Sequence, residues 1–105
     1  MDRYEGECFF FQGSEIIKLF DINVLENKIA FSFRYSQKRL YTVSMSLVSG
    51  ILYKGRAKEK FTGIEIPVTG RVLRDVDAGF IMISGSEWQE KSRNYRWSAE
   101  IEDME

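Results

Sequence analysis

Apolar residues recur at every second position along most of this chain. Ile29, Phe31, Phe33 and Tyr35 form one such series, and Tyr41, Val43, Met45 and Leu47 a second. Ile64, Ile66 and Val68 make a third, and Tyr95, Trp97, Ala99 and Ile101 a fourth. A period of two is that of a strand with one buried face, and no stretch carries the 3.6-residue period of an amphipathic helix. Continued through the chain, it predicts eight strands over residues 3–11, 16–25, 28–35, 39–48, 51–60, 63–73, 79–89 and 94–102. The links between them are only a few residues long. Links that short join antiparallel neighbours, because parallel strands need a crossover of about a dozen residues. The predicted fold is therefore an all-β, single-domain antiparallel meander over residues 1–105. Closure into an up-and-down barrel removes unpaired edges, so a barrel is expected first and a β-sandwich second.

Turn and bend residues fit that layout. Gly13-Ser14, Glu26-Asn27, Ser36 to Lys38 and Ser49-Gly50 fall between strands, and Asn27 tolerates the positive φ of a two-residue hairpin. Gly6, Gly55, Gly70 and Gly85 lie within strands, in phase with the apolar face. Each marks a bend or a gap opposite a large aromatic side chain. Pro67 sits on the outward phase and lacks an amide donor, so a bulge or a break in pairing is expected there.

The inner face carries the strongest hint of binding. It collects Tyr35, Tyr41, Tyr53, Tyr95 and Trp97 beside Phe10, Phe20, Phe31, Phe33 and Phe61. Tyr and Trp combine a large apolar body with one polar group that needs a partner when buried. An eight-stranded barrel is either filled by such side chains or left open enough for one small ligand. The first expectation is thus a non-enzymatic protein holding an aromatic or amphipathic small molecule, lined by these five residues and Glu59. Glu59 shares the phase of Tyr53 and Ala57, so it either faces inward or lies where the strand frays into solvent. The layout is similar to that of the calycin-like lipocalins and avidins, which are ligand-binding meander barrels. Gly6-Glu7-Cys8 stands where those families carry Gly-x-Trp, so the similarity is one of layout and transfers no residues.

The outer face suggests a second class of function. Lys54, Arg56, Lys58 and Lys60 alternate onto one side of a strand. Such a row can keep a sheet face solvated, or it can dock an acidic protein partner. Glu100, Glu102, Asp103 and Glu105 form an acidic tail that could neutralise it within one molecule or across a dimer. Phe9-Phe10-Phe11, Ile16-Ile17 with Leu19-Phe20, and Phe80-Ile81-Met82-Ile83 are apolar on both faces. Outward apolar residues need cover, and a homodimer is the simplest account. This reading is a protein–protein interaction module: an inhibitor, adaptor or assembly subunit.

Composition narrows the chemistry. At 44% hydrophobic and 30% charged residues the chain is an ordinary globule. Its net charge of −1 argues against a dedicated nucleic-acid binder. It has no histidine, which removes the usual general base and the commonest metal ligand. Cys8 is the only cysteine, so it forms neither an intramolecular disulfide nor a zinc site, and it lacks a histidine to activate it as a nucleophile. Asp75 and Asp77 resemble part of a calcium loop, but no downstream glutamate completes the spacing. Carboxylate chemistry at Glu59, or at Glu87 beside Trp88, has no second acid to pair with. No catalytic residue, metal or cofactor is expected. With no apolar leader and no run long enough to span a bilayer, the expected compartment is the cytoplasm.

Overall fold

A computed structural model describes residues 4–10, 16–90 and 93–104. Among them the strands are β1 (Tyr4–Phe10), β2 (Ile17–Val24), β3 (Lys28–Ser36), β4 (Arg39–Ser49) and β5 (Leu52–Glu59), then β6 (Glu65–Asp75), β7 (Phe80–Glu90), β8 (Arg93–Asn94) and β9 (Trp97–Asp103). Each strand from β1 to β7 pairs antiparallel with the next, β7 pairs with β9, and β9 returns to β1. The closing ladder runs without a break from Tyr4–Asp103 to Phe10–Trp97. The meander is therefore a closed eight-stranded barrel, antiparallel throughout as the short links require. The short β8 only extends the tip of β7, through Gln89–Asn94 and Glu90–Arg93. The single strand expected over 94–102 is thus interrupted at Tyr95 and Arg96. Among the described residues no helix is long and apolar enough to cross a membrane.

Alternation places Ile29, Phe31, Phe33, Tyr41, Val43, Met45, Ala57, Ile66, Val68, Ile83, Trp97, Ala99 and Ile101 inside, all buried. Bulges shift the register in four places, because an inserted residue exchanges the two faces of a strand. The one in β4 lies between Leu47 and Ser49, and Leu47, expected on the inner face, is exposed. In β2 the register slips between Phe20 and Asn23, where Asp21 adopts a φ of 50°. Ile17 and Leu19 precede the slip and point inward; Phe20, expected inside, is exposed. In β3 a slip between Arg34 and Ser36 turns Tyr35 outward, and it is 51% exposed rather than part of the inner face. In β7 the register passes from Gly85 to Glu87 opposite Gly70 and Thr69. Trp88, on the other phase from Ile81 and Ile83, thereby enters the core.

Strand ends account for the remaining departures. Phe61 lies in the turn after β5 and Ile64 precedes β6, so both are exposed. Glu26 and Asn27 do form the β2–β3 turn, closed by the Leu25 N–H donating to the Lys28 carbonyl at 2.8 Å. The only non-glycine residue with positive φ among those described is Asp21, not Asn27. Pro67 faces outward, and pairing with β7 begins directly after it, at Val68. Asp75 accepts from the Ala78 N–H at 3.0 Å, which makes its loop an ordinary turn. The expected Gly13-Ser14 turn, Phe11 and Glu105 lie outside the described residues, as do the side chains of Phe9 and Phe10.

Candidate functional site

Inside the barrel five rings make one connected stack. Phe31 meets Trp97 at 6.4 Å between centroids, Trp97 meets Trp88 at 5.8 Å, and Trp88 meets Phe33 at 5.8 Å and Tyr41 at 5.4 Å. Phe33 and Tyr41 close the group at 5.4 Å. The glycines of β6 and β7 make this possible. Gly70 and Gly85 are directly paired, and Gly85 also pairs with Trp97. A Cβ on Gly85 would overlap Cε2, Cδ2 and Nε1 of the Trp97 indole. Gly55 serves a different end: a Cβ there would overlap the Ser44 carbonyl oxygen, so the β4 and β5 backbones approach too closely for any side chain.

The polar groups of these side chains are taken up by the chain itself. Trp97 Nε1 donates to the Glu87 carbonyl at 3.0 Å. The Tyr41 hydroxyl accepts from Arg39 at 3.3 Å. The Tyr53 hydroxyl donates to the Glu26 carbonyl at 3.3 Å and accepts from Arg74 at 3.1 Å. Among the described residues no buried side-chain polar atom lacks a hydrogen-bond partner.

Glu59 is fully enclosed, with 0% exposure, so its strand does not fray there. Its Oε2 accepts from the Leu40 N–H at 2.9 Å, and its Oε1 from the Thr62 N–H at 2.9 Å. The Phe61 N–H lies 3.1 Å from both oxygens. Burial pushes this carboxyl upward, but the N–H groups of Leu40, Phe61 and Thr62, with the Thr62 side chain, outweigh it and hold the pKa at about 2. Glu59 thus organises the β5–β6 turn, whose Gly63 donates back to the Glu59 carbonyl at 2.9 Å.

The residues expected to line one cavity therefore occupy different places. Tyr41 and Trp97 meet through Trp88. Tyr53 sits at the start of β5, at the opposite barrel end from Glu59. Tyr95 is half-buried beside the core, and Tyr35 faces out. Trp88, the hub of the stack, was absent from the expected set. Its signal was a lone large apolar residue between Glu87 and Gln89, out of step with Ile81 and Ile83. Cys8 is buried and its thiol is pushed up to about 12 by desolvation.

On the outside, two rows are mostly of one sign, although Glu65 stands opposite Lys58 and Lys18 opposite Glu7. Lys54, Arg56 and Lys58 project from β5 in register with Ser46, Ser44 and Thr42 of β4, and Lys60 follows in the turn. Arg56 pairs with Glu65 at 3.1 Å, whereas neither Lys54 nor Lys58 has an ion-pair partner among the described residues. The acidic tail does not reach this row, because β9 lies between β1 and β7. It makes a second face with β1 instead. Glu5 stands directly opposite Glu102, and Glu7 opposite Glu100. Like charges so placed oppose pairing, and Lys18, beside Glu7 on β2, is the nearest in-register cation. Glu5 and Glu7 were not expected here, since only closure brings β1 beside β9.

β1 and β2 are in register only at Glu7–Lys18 and Cys8–Ile17 among the described residues. Where they diverge, a groove of about 460 Å³ opens, lined by Glu5, Gly6, Glu7, Lys18, Leu19, Phe80, Glu100 and Glu102. Among the described residues no group of His, Cys, Asp or Glu is arranged to hold a metal ion. Glu100 and Glu102 of β9 stand between β1 and the outward residues Phe80 and Met82 of β7. No protein-family model matches this chain, and no curated protein or solved structure is significantly similar to it.

Proposed function

We propose that this barrel acts by binding rather than catalysis, as a protein–protein interaction module that works through its outer surface. One observation carries this reading: the interior aromatics pack on one another and bond to the chain's own groups, while two opposite sides of the exterior carry rows mostly of one sign, Lys54, Arg56 and Lys58 on β5 and Glu5, Glu7, Glu100 and Glu102 on β1 and β9. The row Lys54, Arg56 and Lys58, exposed beside the small hydroxyl residues of β4, is a basic ridge of long side chains suited to an acidic protein surface. Affinity capture with wild-type protein and with Lys54→Glu/Lys58→Glu tests it. Loss of the captured partner in the variant, with the far-UV spectrum unchanged, supports the reading; equal capture removes the ridge as the interface.

The competing reading is a small molecule among Tyr41, Tyr53 and Trp97. Native mass spectrometry separates the two. An extra mass that disappears on denaturation would favour an interior ligand, and a bare chain mass the outer surface.

A further inference from the structure

We infer that the partner of the basic ridge is the acidic face of a second copy of this chain, bound head to tail. This rests on the outer-surface reading above and narrows it to one occupant. The argument begins with the order of strands round the barrel. β1 lies four strands from β5 in either direction, and β9 four strands from β4. The acidic face of β1 and β9 and the basic ridge of β5 are therefore diametrically opposed. A two-fold dimer brings the same patch of each subunit together, so it would set acid on acid or base on base. Opposed complementary faces favour a heterologous contact, in which the ridge of one copy meets the groove of the next.

The two surfaces match in spacing as well as sign. Lys54, Arg56 and Lys58 occupy alternate positions of one strand, and so do Glu5 with Glu7 and Glu100 with Glu102. Same-face residues of a strand repeat at roughly 7 Å, so both charge rows share one interval. Shape is compatible: the acidic side is concave where β1 and β2 diverge, and the long side chains of Lys54 and Lys58 are exposed. Seating lysines between Glu5–Glu102 and Glu7–Glu100 would relieve two repulsive cross-strand pairs that the isolated barrel leaves opposed. Phe80 and the 42%-exposed Met82 border the groove and give the contact an apolar margin.

Sedimentation equilibrium at low and high salt tests this, with the two faces neutralised one at a time. Wild-type protein should associate beyond the dimer as concentration rises, and salt should reverse it. Lys54→Gln/Lys58→Gln keeps the acidic face, and Glu100→Gln/Glu102→Gln keeps the ridge. Each alone should associate roughly tenfold more weakly. An equimolar mixture should form a one-to-one complex that stops growing, because each copy then offers one competent face. A wild-type chain that stays monomeric at low salt overturns the inference, and so does a dimer that neither variant weakens or a mixture no larger than its components. If the chain is monomeric but Lys54→Glu/Lys58→Glu loses a captured protein, the outer-surface reading survives and this one does not.

Discussion

Adding a single methyl group at Gly85 should be among the costliest small changes available to this barrel. The Cβ of Gly85→Ala would fall on the fused atoms of the Trp97 indole, which is itself 1% exposed and held on its other side by Trp88 and Phe31. The ring is buried and the β6–β7 backbone is held by its ladder, so one of them must be displaced. Overpacking of a tight core costs about 1–3 kcal/mol. Displacing the ring also stretches the bond from Nε1 to the Glu87 carbonyl, worth about 1 kcal/mol. The sum, about 2–4 kcal/mol, is a large share of the 5–15 kcal/mol typical of a domain this size. Urea unfolding followed by far-UV circular dichroism should show the midpoint falling by about 1–2 M. Near-UV ellipticity should change as the indole reorients. Ser84→Ala, on the solvent face of the same strand, should stay within about 0.5 kcal/mol of wild type. In a Trp97→Val background, where no indole fills the slot, the Gly85→Ala step should cost at least about 1 kcal/mol less. An additive pair, or a single variant as stable as wild type with its near-UV spectrum intact, would refute the slot argument.

Glu59→Gln tests the turn-organising carboxylate. Its pKa of about 2 lies below the ordinary value of 4.5, so its contribution is fully present above about pH 4.5 and is lost as pH falls through 2. Wild type should therefore be the more stable at pH 7, and the two unfolding midpoints should converge between pH 4.5 and 2; parallel profiles would contradict this. For Cys8, a thiol pKa of about 12 behind a closed core predicts no reaction with a thiol reagent at neutral pH while the barrel is folded. Labelling should follow the opening of the barrel and speed up with urea, whereas fast labelling of native protein would show the thiol to be accessible.

Much of the fold was legible because alternation is a local signal. Ile29, Phe31 and Phe33, or Trp97, Ala99 and Ile101, report a buried face within a few residues, and short links leave a meander as the simplest topology. What alternation cannot supply is its own phase after an insertion. One extra residue exchanges the faces of everything beyond it, which is why Phe20 and Tyr35 were misplaced and Trp88 was missed. The interior site suffered most, since a cavity is defined by which side chains converge. Tyr41 and Trp97 converge only because Trp88 crosses to their side, and Tyr53 and Glu59 share a phase yet stand at opposite barrel ends.

The charged faces show a deeper limit of the same kind. Within a strand, the row Lys54, Arg56 and Lys58 could be read directly, because period two fixes which side a residue occupies. The acidic face could not, because Glu5 and Glu7 lie nearly the whole chain away from Glu100 and Glu102, and only the β1–β9 ladder unites them. Nothing local to either segment requires four carboxylates to stand in opposed pairs. A meander free to remain an open sheet would have left them on separate edges, where solvent screens each one. Closure brings them together at an energetic cost that the buried ladder beneath them, Cys8, Ala99 and Ile101, offsets. The same closure that completes the core therefore creates a surface whose charges oppose each other, and it sets that surface across the barrel from the lysines able to relieve it.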